Sequence, residues 1–214
     1  GAGAGLGQQQ PAGIEHLGHR LRELPLRGPL LVAGEHARER AVALEDARMI
    51  QMSGGRVPEP ASVADGFVYV AMQELATRVA HRNTGKALLE AADDHPAAQC
   101  GYDLMVRVAT DENYHYLFYR DLTTAAMEIN PSLVMRALER QVSGFEMPGT
   151  GIPGFKAHAD AIAKAGVFGL VEHYNNVLVP LVHRKWQVER VEGLDADGEH
   201  ARDRLVEQVG RIGR

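Results

Sequence analysis

The sequence predicts an all-α protein, and three observations carry that prediction. Apolar residues recur every three to four positions over long segments, Pro and Gly cluster at the joints between those segments, and no segment shows the period-two alternation of a half-buried strand. The chain has 214 residues, 45% of them hydrophobic, enough for one domain with a sizeable core and short for two. No internal repeat is evident.

Residues 1–40 differ in character from the rest. GAGAGLGQQQPAG cannot bury enough apolar surface to offset its ordering entropy, so it reads as disordered. Gly, Arg and His then crowd between Pro11, Pro25 and Pro29, and a short helix over 14–24 must end at Pro25. The expectation is an irregular or disordered segment over 1–40 and a helical domain over 41–214. The regular pattern starts with a short helical piece around LEDARMIQM (44–52) and pauses in the SGGRVPEP loop.

A strong helix is expected over 64–92, opened by Ser62 with Asp65 at capping-box spacing. One line along it, Val68, Met72, Leu75 and Val79, is purely apolar; the line beside it runs Phe67, Val70, Glu74, Thr77, His81 and Thr84. This helix is therefore buried on at least two sides. The next, over 97–129, stops before Asn130 and Pro131. A shorter helix covers 132–144, and MPGTGIPGF cannot continue it. Two more are expected over 156–166 and 168–188, the second kinked at Pro180. A final, charged helix follows Asp195.

Composition excludes several classes of function. A formal net charge of -5 draws the chain to neither nucleic acid nor an anionic membrane surface. No apolar stretch approaches the roughly 18 to 20 residues that span a bilayer, and the start has neither the basic nor the apolar region of a secretory signal. The single cysteine, Cys100, allows no internal disulfide, fits a reducing cytoplasm and excludes a thiolate metal site. Any metal ligands are then carboxylate and imidazole, the donors that suit iron, manganese or zinc.

The run ATDENYHYLFY supplies such donors. Glu112 and His115 lie one helical turn apart, so both side chains can reach one metal ion. They interrupt an apolar stripe of Leu104, Val108, Tyr119, Leu122 and Ala126 and should point into the core, where an unpaired carboxylate costs several kcal/mol. Without that stripe an ExxH pair is most often a solvated face. Glu74, on the preceding helix, is a second inward-facing carboxylate, and antiparallel packing of the two helices would bring it opposite the Glu112 and His115 turn. Such a trio is half of a carboxylate-bridged di-iron set, in which two helices give one Glu each and two give a Glu plus a His at ExxH spacing.

Asp111 could accept the second ring proton of a ligating His or be an ordinary solvated Asp. Thr77 could present its hydroxyl to oxygen at the metal or bond back to its own helix. For His81 a core imidazole with a hydrogen-bond partner is the better reading. His158, His173 and His183 have no partner at ligand spacing.

GFVYVAMQELATRVAHRNTG followed by the DENYH helix resembles the soluble acyl-acyl carrier protein desaturases, most closely their actinobacterial branch. The resemblance runs from about Leu44 to the C-terminus, through FEMPGTGIPGF, LVHRKWQVERVEGLDADGE and the terminal helix. It implies a ferritin-like helical bundle whose di-iron centre activates dioxygen and leaves a double bond in an acyl chain. The acyl chain would arrive on acyl carrier protein, the electrons from a ferredoxin-type donor, and the protein would be a cytoplasmic homodimer. Carried over by position, Glu74 of QELAT and Glu112 and His115 of DENYH become metal ligands, Thr77 the oxygen-handling hydroxyl and Asp111 a partner of the ligand shell.

The chain departs from that family at its start. The resemblance calls for a Glu on an earlier helix and an EExxH motif on the next, and neither is present. In GIEHLGHRLREL, His16 and His19 have ligand spacing without the required Glu; Glu15 and His19 are four apart, and Glu35 and His36 cannot share a face. The bundle is thus expected to be incomplete at the N-terminus, its first helices replaced by an unrelated reading frame or a divergent segment. The chain would supply about half the ligands of a two-iron site. The alternative to an active desaturase is a catalytically inactive truncated homologue or a ferritin-like metal-binding scaffold.

Overall fold

The structure, a computed structural model, describes residues 39, 41–43, 45–46, 49–50, 60–91, 96–147, 150 and 154–213. The expectations for 1–38, including the short helix over 14–24, lie outside the described residues. The chain divides into two compact units, Gly1–Gly54 and Gly55–Arg214. In the first, every described residue is helical, among them Glu45, Asp46, Met49 and Ile50 of the piece expected over 44–52.

The second unit is all helical among its described residues. It comprises α1 (Val63–Ala91), α2 (Pro96–Ile129), α3 (Pro131–Ser143), α4 (Phe155–Lys164), α5 (Leu170–His173) and α6 (Ala196–Ile212). Between α5 and α6 lie a π-helical segment, Tyr174–Lys185, and a 3₁₀ turn, Val188–Arg190. In the second unit every helix boundary expected from the sequence falls within two residues of an observed one except at the π-helical segment.

The exception traces to Pro180. A kinked α-helix over 168–188 was the expectation; instead α5 ends after one turn and the chain widens into the π segment, which contains Pro180. Proline has no N–H to donate and its ring collides with the carbonyl four residues back. A wider turn relieves that collision over the whole segment rather than at one bend. The segment closes with Trp186 N donating to Leu181 O at 2.9 Å, an i to i+5 bond.

The core gathers α1, α3, the π segment and α6. Val68, Met72 and Leu75 from α1 meet Val134, Met135 and Leu138 from α3, with Leu178, Leu181 and Leu205 closing the cluster. The apolar line predicted on α1 is thus the line that is buried, with Val79 at its margin. α6 is capped by Asp195, whose Oδ1 accepts from Gly198 N at 2.7 Å. It can lie close to α3 only because position 198 lacks a side chain: a Cβ there would stand 2.8 Å from Ser132 Oγ.

Asp65 ties α1 to α3. Ser62 opens α1 as expected, its Oγ accepting from Asp65 N at 3.3 Å. The Asp65 carboxylate, however, does not turn back to the Ser62 backbone as a capping box would. It accepts from Arg140 at 2.9 and 2.7 Å, from Gln141 Nε2 at 3.1 Å and from Ser62 Oγ at 2.6 Å. Asp65 is fully buried. Burial alone would raise its pKa, but the hydrogen bonds from Arg140, Ser62 and Gln141 and the Arg140 charge outweigh it and hold the carboxyl at about 2. A carboxylate whose pKa is depressed on folding contributes stability above its unfolded value and loses it as pH falls through the folded one. Stability should therefore fall by about 2 kcal/mol between pH 4 and pH 2 through this one group. Asp65→Asn, followed by urea unfolding, should cost about 2 to 3 kcal/mol at pH 7 and flatten that acid limb.

Candidate metal centre

Among the described residues α1 and α2 form the longest packed pair, and they run antiparallel. Leu88 approaches Gly101, Gly85 approaches Tyr102 and Met105, and Glu74 meets His115, so position rises on one helix as it falls on the other. At Gly85, buried on α1, a Cβ would lie 3.1 Å from Met105 Cβ and 3.2 Å from the Tyr102 ring. That close approach sets how near the two backbones come at one end of the pair.

The pairing brings Glu74, Glu112 and His115 together, one ligand atom of each lying within 4.8 Å of the others. His115 Nδ1 is 3.2 Å from Glu112 Oε2 and 3.5 Å from Glu74 Oε2. Both carboxylates are largely withdrawn from solvent, and Glu74 Oε2 is buried without a hydrogen bond. Burial, with the hydrogen bond and charge of Glu112, pushes the Glu74 carboxyl up to about 7. Burial also acts to raise Glu112, but hydrogen bonds to Glu74 and His115 and the charge of His81 and His115 hold it below the usual range. The Glu112 hydrogen bond raises His115. Two adjacent carboxylates cannot both stay charged out of water without a cation.

These observations fit a metal ion. An orphaned carboxylate oxygen, a second carboxylate and an imidazole are hard oxygen and borderline nitrogen donors, the set that suits iron, manganese or zinc. Glu74, Glu112 and His115 would hold it.

Two expectations about this site require correction. The stripe containing Glu112 and His115 was expected to face the core, yet Leu104 is 55% exposed and the His115 side chain 58%. The reason is packing: α1 and α3 cover one side of α2, whose buried positions are Ala98, Ala109 and Thr123, and the His115 edge lies outside that cover among the described residues. His81, read as a core imidazole, sits one-third exposed with Nε2 3.5 Å from Glu112 Oε1. Its place on the Glu74 line, two turns on, was the sequence signal for that proximity.

The remaining predicted residues are placed as follows. Thr77 lies half-buried one turn from Glu74, its hydroxyl donating back to the carbonyls of Gln73 and Glu74, both at 3.1 Å. Asp111 is exposed beside Glu112 and makes no hydrogen bond to His115. His183 pairs with Glu189. His173 is buried and stacked on Phe145 at 4.7 Å, and burial lowers its pKa to about 4.

A family model described as fatty acid desaturase matches residues 36–214. Among individual relatives, acyl-[acyl-carrier-protein] desaturase DesA1 of Mycobacterium tuberculosis is 38% identical over 145 residues, covering 68% of this chain and 40% of that protein. Acyl-[acyl-carrier-protein] desaturase 7, chloroplastic, of Oryza sativa is 33% identical, with 71% and 38% covered. Stearoyl-[acyl-carrier-protein] 9-desaturase, chloroplastic, of Gossypium hirsutum is 31% identical, with 70% and 38% covered. The chain spans about two fifths of the length of the curated relatives it matches.

A metal held by these three side chains stabilises the fold it binds. Zinc at 100 times its Kd should add about 2.7 kcal/mol, seen as a rise in Tm under a chelator-to-metal exchange. Glu112→Gln should abolish that rise, because the amide replaces one of the two carboxylate donors.

Proposed function

Because the chain belongs to the fatty acid desaturase family, we propose that it acts as an acyl-[acyl-carrier-protein] desaturase within a ferritin-like bundle. One observation carries the reading: the QELAT and DENYH helices pack so that Glu74, Glu112 and His115 converge on one point. A di-iron centre, when bound, supplies the activation of dioxygen that removes two hydrogens from an unactivated acyl chain.

The chain's own residues have four tasks in this reaction. Glu74 and Glu112 offer the carboxylates, and His115 offers a ring nitrogen. Thr77 sits one turn from Glu74 with its hydroxyl proton bonded to the helix, so its oxygen can accept a hydrogen bond there, and turning the hydroxyl toward the site would let it donate one. Asp111 stands beside the ligand pair at the solvent edge, where it can orient His115 once a ligand fixes the imidazole ring. The reading includes acyl carrier protein as carrier of the substrate, a ferredoxin-type electron donor, a homodimer and a cytoplasmic setting, the last supported by the lone Cys100.

The test is product analysis by mass spectrometry after anaerobic Fe(II) loading and addition of oxygen, reduced ferredoxin and acyl carrier protein loaded with saturated chains. Formation of a monoene that requires oxygen is expected; fully saturated product from iron-loaded protein would sink the reading. His115→Ala should abolish turnover. Thr77→Val should lower it about tenfold, the worth of one hydrogen bond of about 1.4 kcal/mol, without changing iron content.

A further inference from the structure

We propose that the corner where the π segment meets the 3₁₀ turn binds a phosphoryl group carried on a small organic molecule. The site takes its residues from His183–Arg190 and none from Glu74, Glu112 or His115. It therefore stands whether or not the metal centre is filled.

A cavity is the first support. It measures about 540 Å³ and is lined by His183, Arg184, Gln187, Glu189 and Arg190. The one carboxylate among these is already engaged, since Glu189 Oε1 is bonded to His183 Nδ1. Arg184 has no hydrogen-bond or ion-pair partner among the described residues. Arg190 donates from Nη1 to Gln187 Oε1 at 3.0 Å, which holds its guanidinium at the cavity and leaves its other donors unused among the described residues. Lys185, next to Arg184, pairs instead with Asp121 of α2 at 4.0 Å and is not part of the lining. What faces the cavity is thus two planar guanidiniums, the geometry that matches phosphate oxygens in pairs.

The backbone is the second support. Trp186 is right-handed helical (φ -87°, ψ -15°) and Gln187 left-handed (φ 45°, ψ 51°). A right-handed residue followed by a left-handed one turns successive N–H groups to one side and makes an anion-binding concavity. Trp186 N is used by Leu181 O, but the N–H groups of Gln187 and Val188 meet no acceptor among the described residues. Gln187 is also the one residue other than glycine with positive φ among them. Glycine adopts that conformation freely, as Gly193 does nearby at φ 73°, so a glutamine there stores strain. Such strain gathers at ligand sites, and here the side chain that causes it is the one that holds Arg190.

The size of the cavity selects the ligand. Small-molecule sites run from about 300 to 1,000 Å³, so a bare phosphate ion leaves most of this space unfilled. A phosphate ester places its terminal oxygens on the guanidiniums and the free N–H groups, and its organic part occupies the rest.

Calorimetric titration of the full chain, stripped of metal by chelator and dialysed, tests the proposal with phenyl phosphate at fixed ionic strength. One molecule should bind per chain, and Arg184→Ala and Arg190→Ala should each weaken it about tenfold with helical circular dichroism unchanged. Arg190→Lys keeps the charge, loses the planar fork and should also weaken binding. Lys156→Ala, which removes an exposed cation paired with Asp160 on α4, should leave the affinity as it was. Gln187→Gly keeps the turn and its N–H groups; it should raise Tm and still weaken binding, because Arg190 loses its anchor. No saturable binding would overturn the proposal, as would an affinity that ignores both arginine-to-alanine changes or falls as much with Lys156→Ala. Inorganic phosphate binding as tightly as phenyl phosphate would overturn the organic carrier, and weaker binding supports it.

Discussion

The antiparallel packing of α1 on α2 is the constraint on which the rest of the second unit depends. Gly85 lets the two backbones approach at one end, and Glu74 meets His115 toward the other. Register matters because the site is assembled from both helices. Sliding one helix by a turn would move Glu74 about 5.4 Å along the axis and out of reach of His115. The buried Asp65, paired with Arg140, then ties α3 to α1, so among the described residues α1 is clamped by both neighbours while α2 is covered on one side.

That asymmetry explains the electrostatics of the site. Glu74 belongs to the clamped helix and sits deep enough for burial to raise its pKa to about 7. His115 belongs to the freer helix and stands at the edge, close enough to bond Glu112 but open to whatever approaches from outside. A site of this kind is polar on the inside and accessible on one flank.

Much of this was legible in the sequence, and the misses share a cause. Periodicity located α1 to α4 and α6 because each buries a stripe that repeats at 3.6 residues. The Glu74, Glu112 and His115 trio was legible because chemistry-bearing residues stood on lines that were otherwise apolar. The π segment was not, since Pro180 announces a disturbed helix without saying whether the chain bends once or widens over three turns. The exposure of the Leu104 and His115 line was missed for a related reason: an apolar stripe shows that a face prefers cover, and it does not show what covers it. His81 stands one-third exposed rather than in the core because its partner, Glu112, lies on the neighbouring helix; its place on the Glu74 line marked the face but not that partner.

The sequence by itself determined the class of the protein, its helical segments, and the identity and spacing of three donors, because these follow from local periodicity and from the chemistry of side chains. The tertiary structure alone decided how deep each lies, that Asp65 serves Arg140 rather than its own helix end, and that among the described residues one flank of the α1–α2 pair stays uncovered. Those depend on distances between residues far apart in the chain, and such distances are set by how whole faces pack, not by the order of residues along one helix.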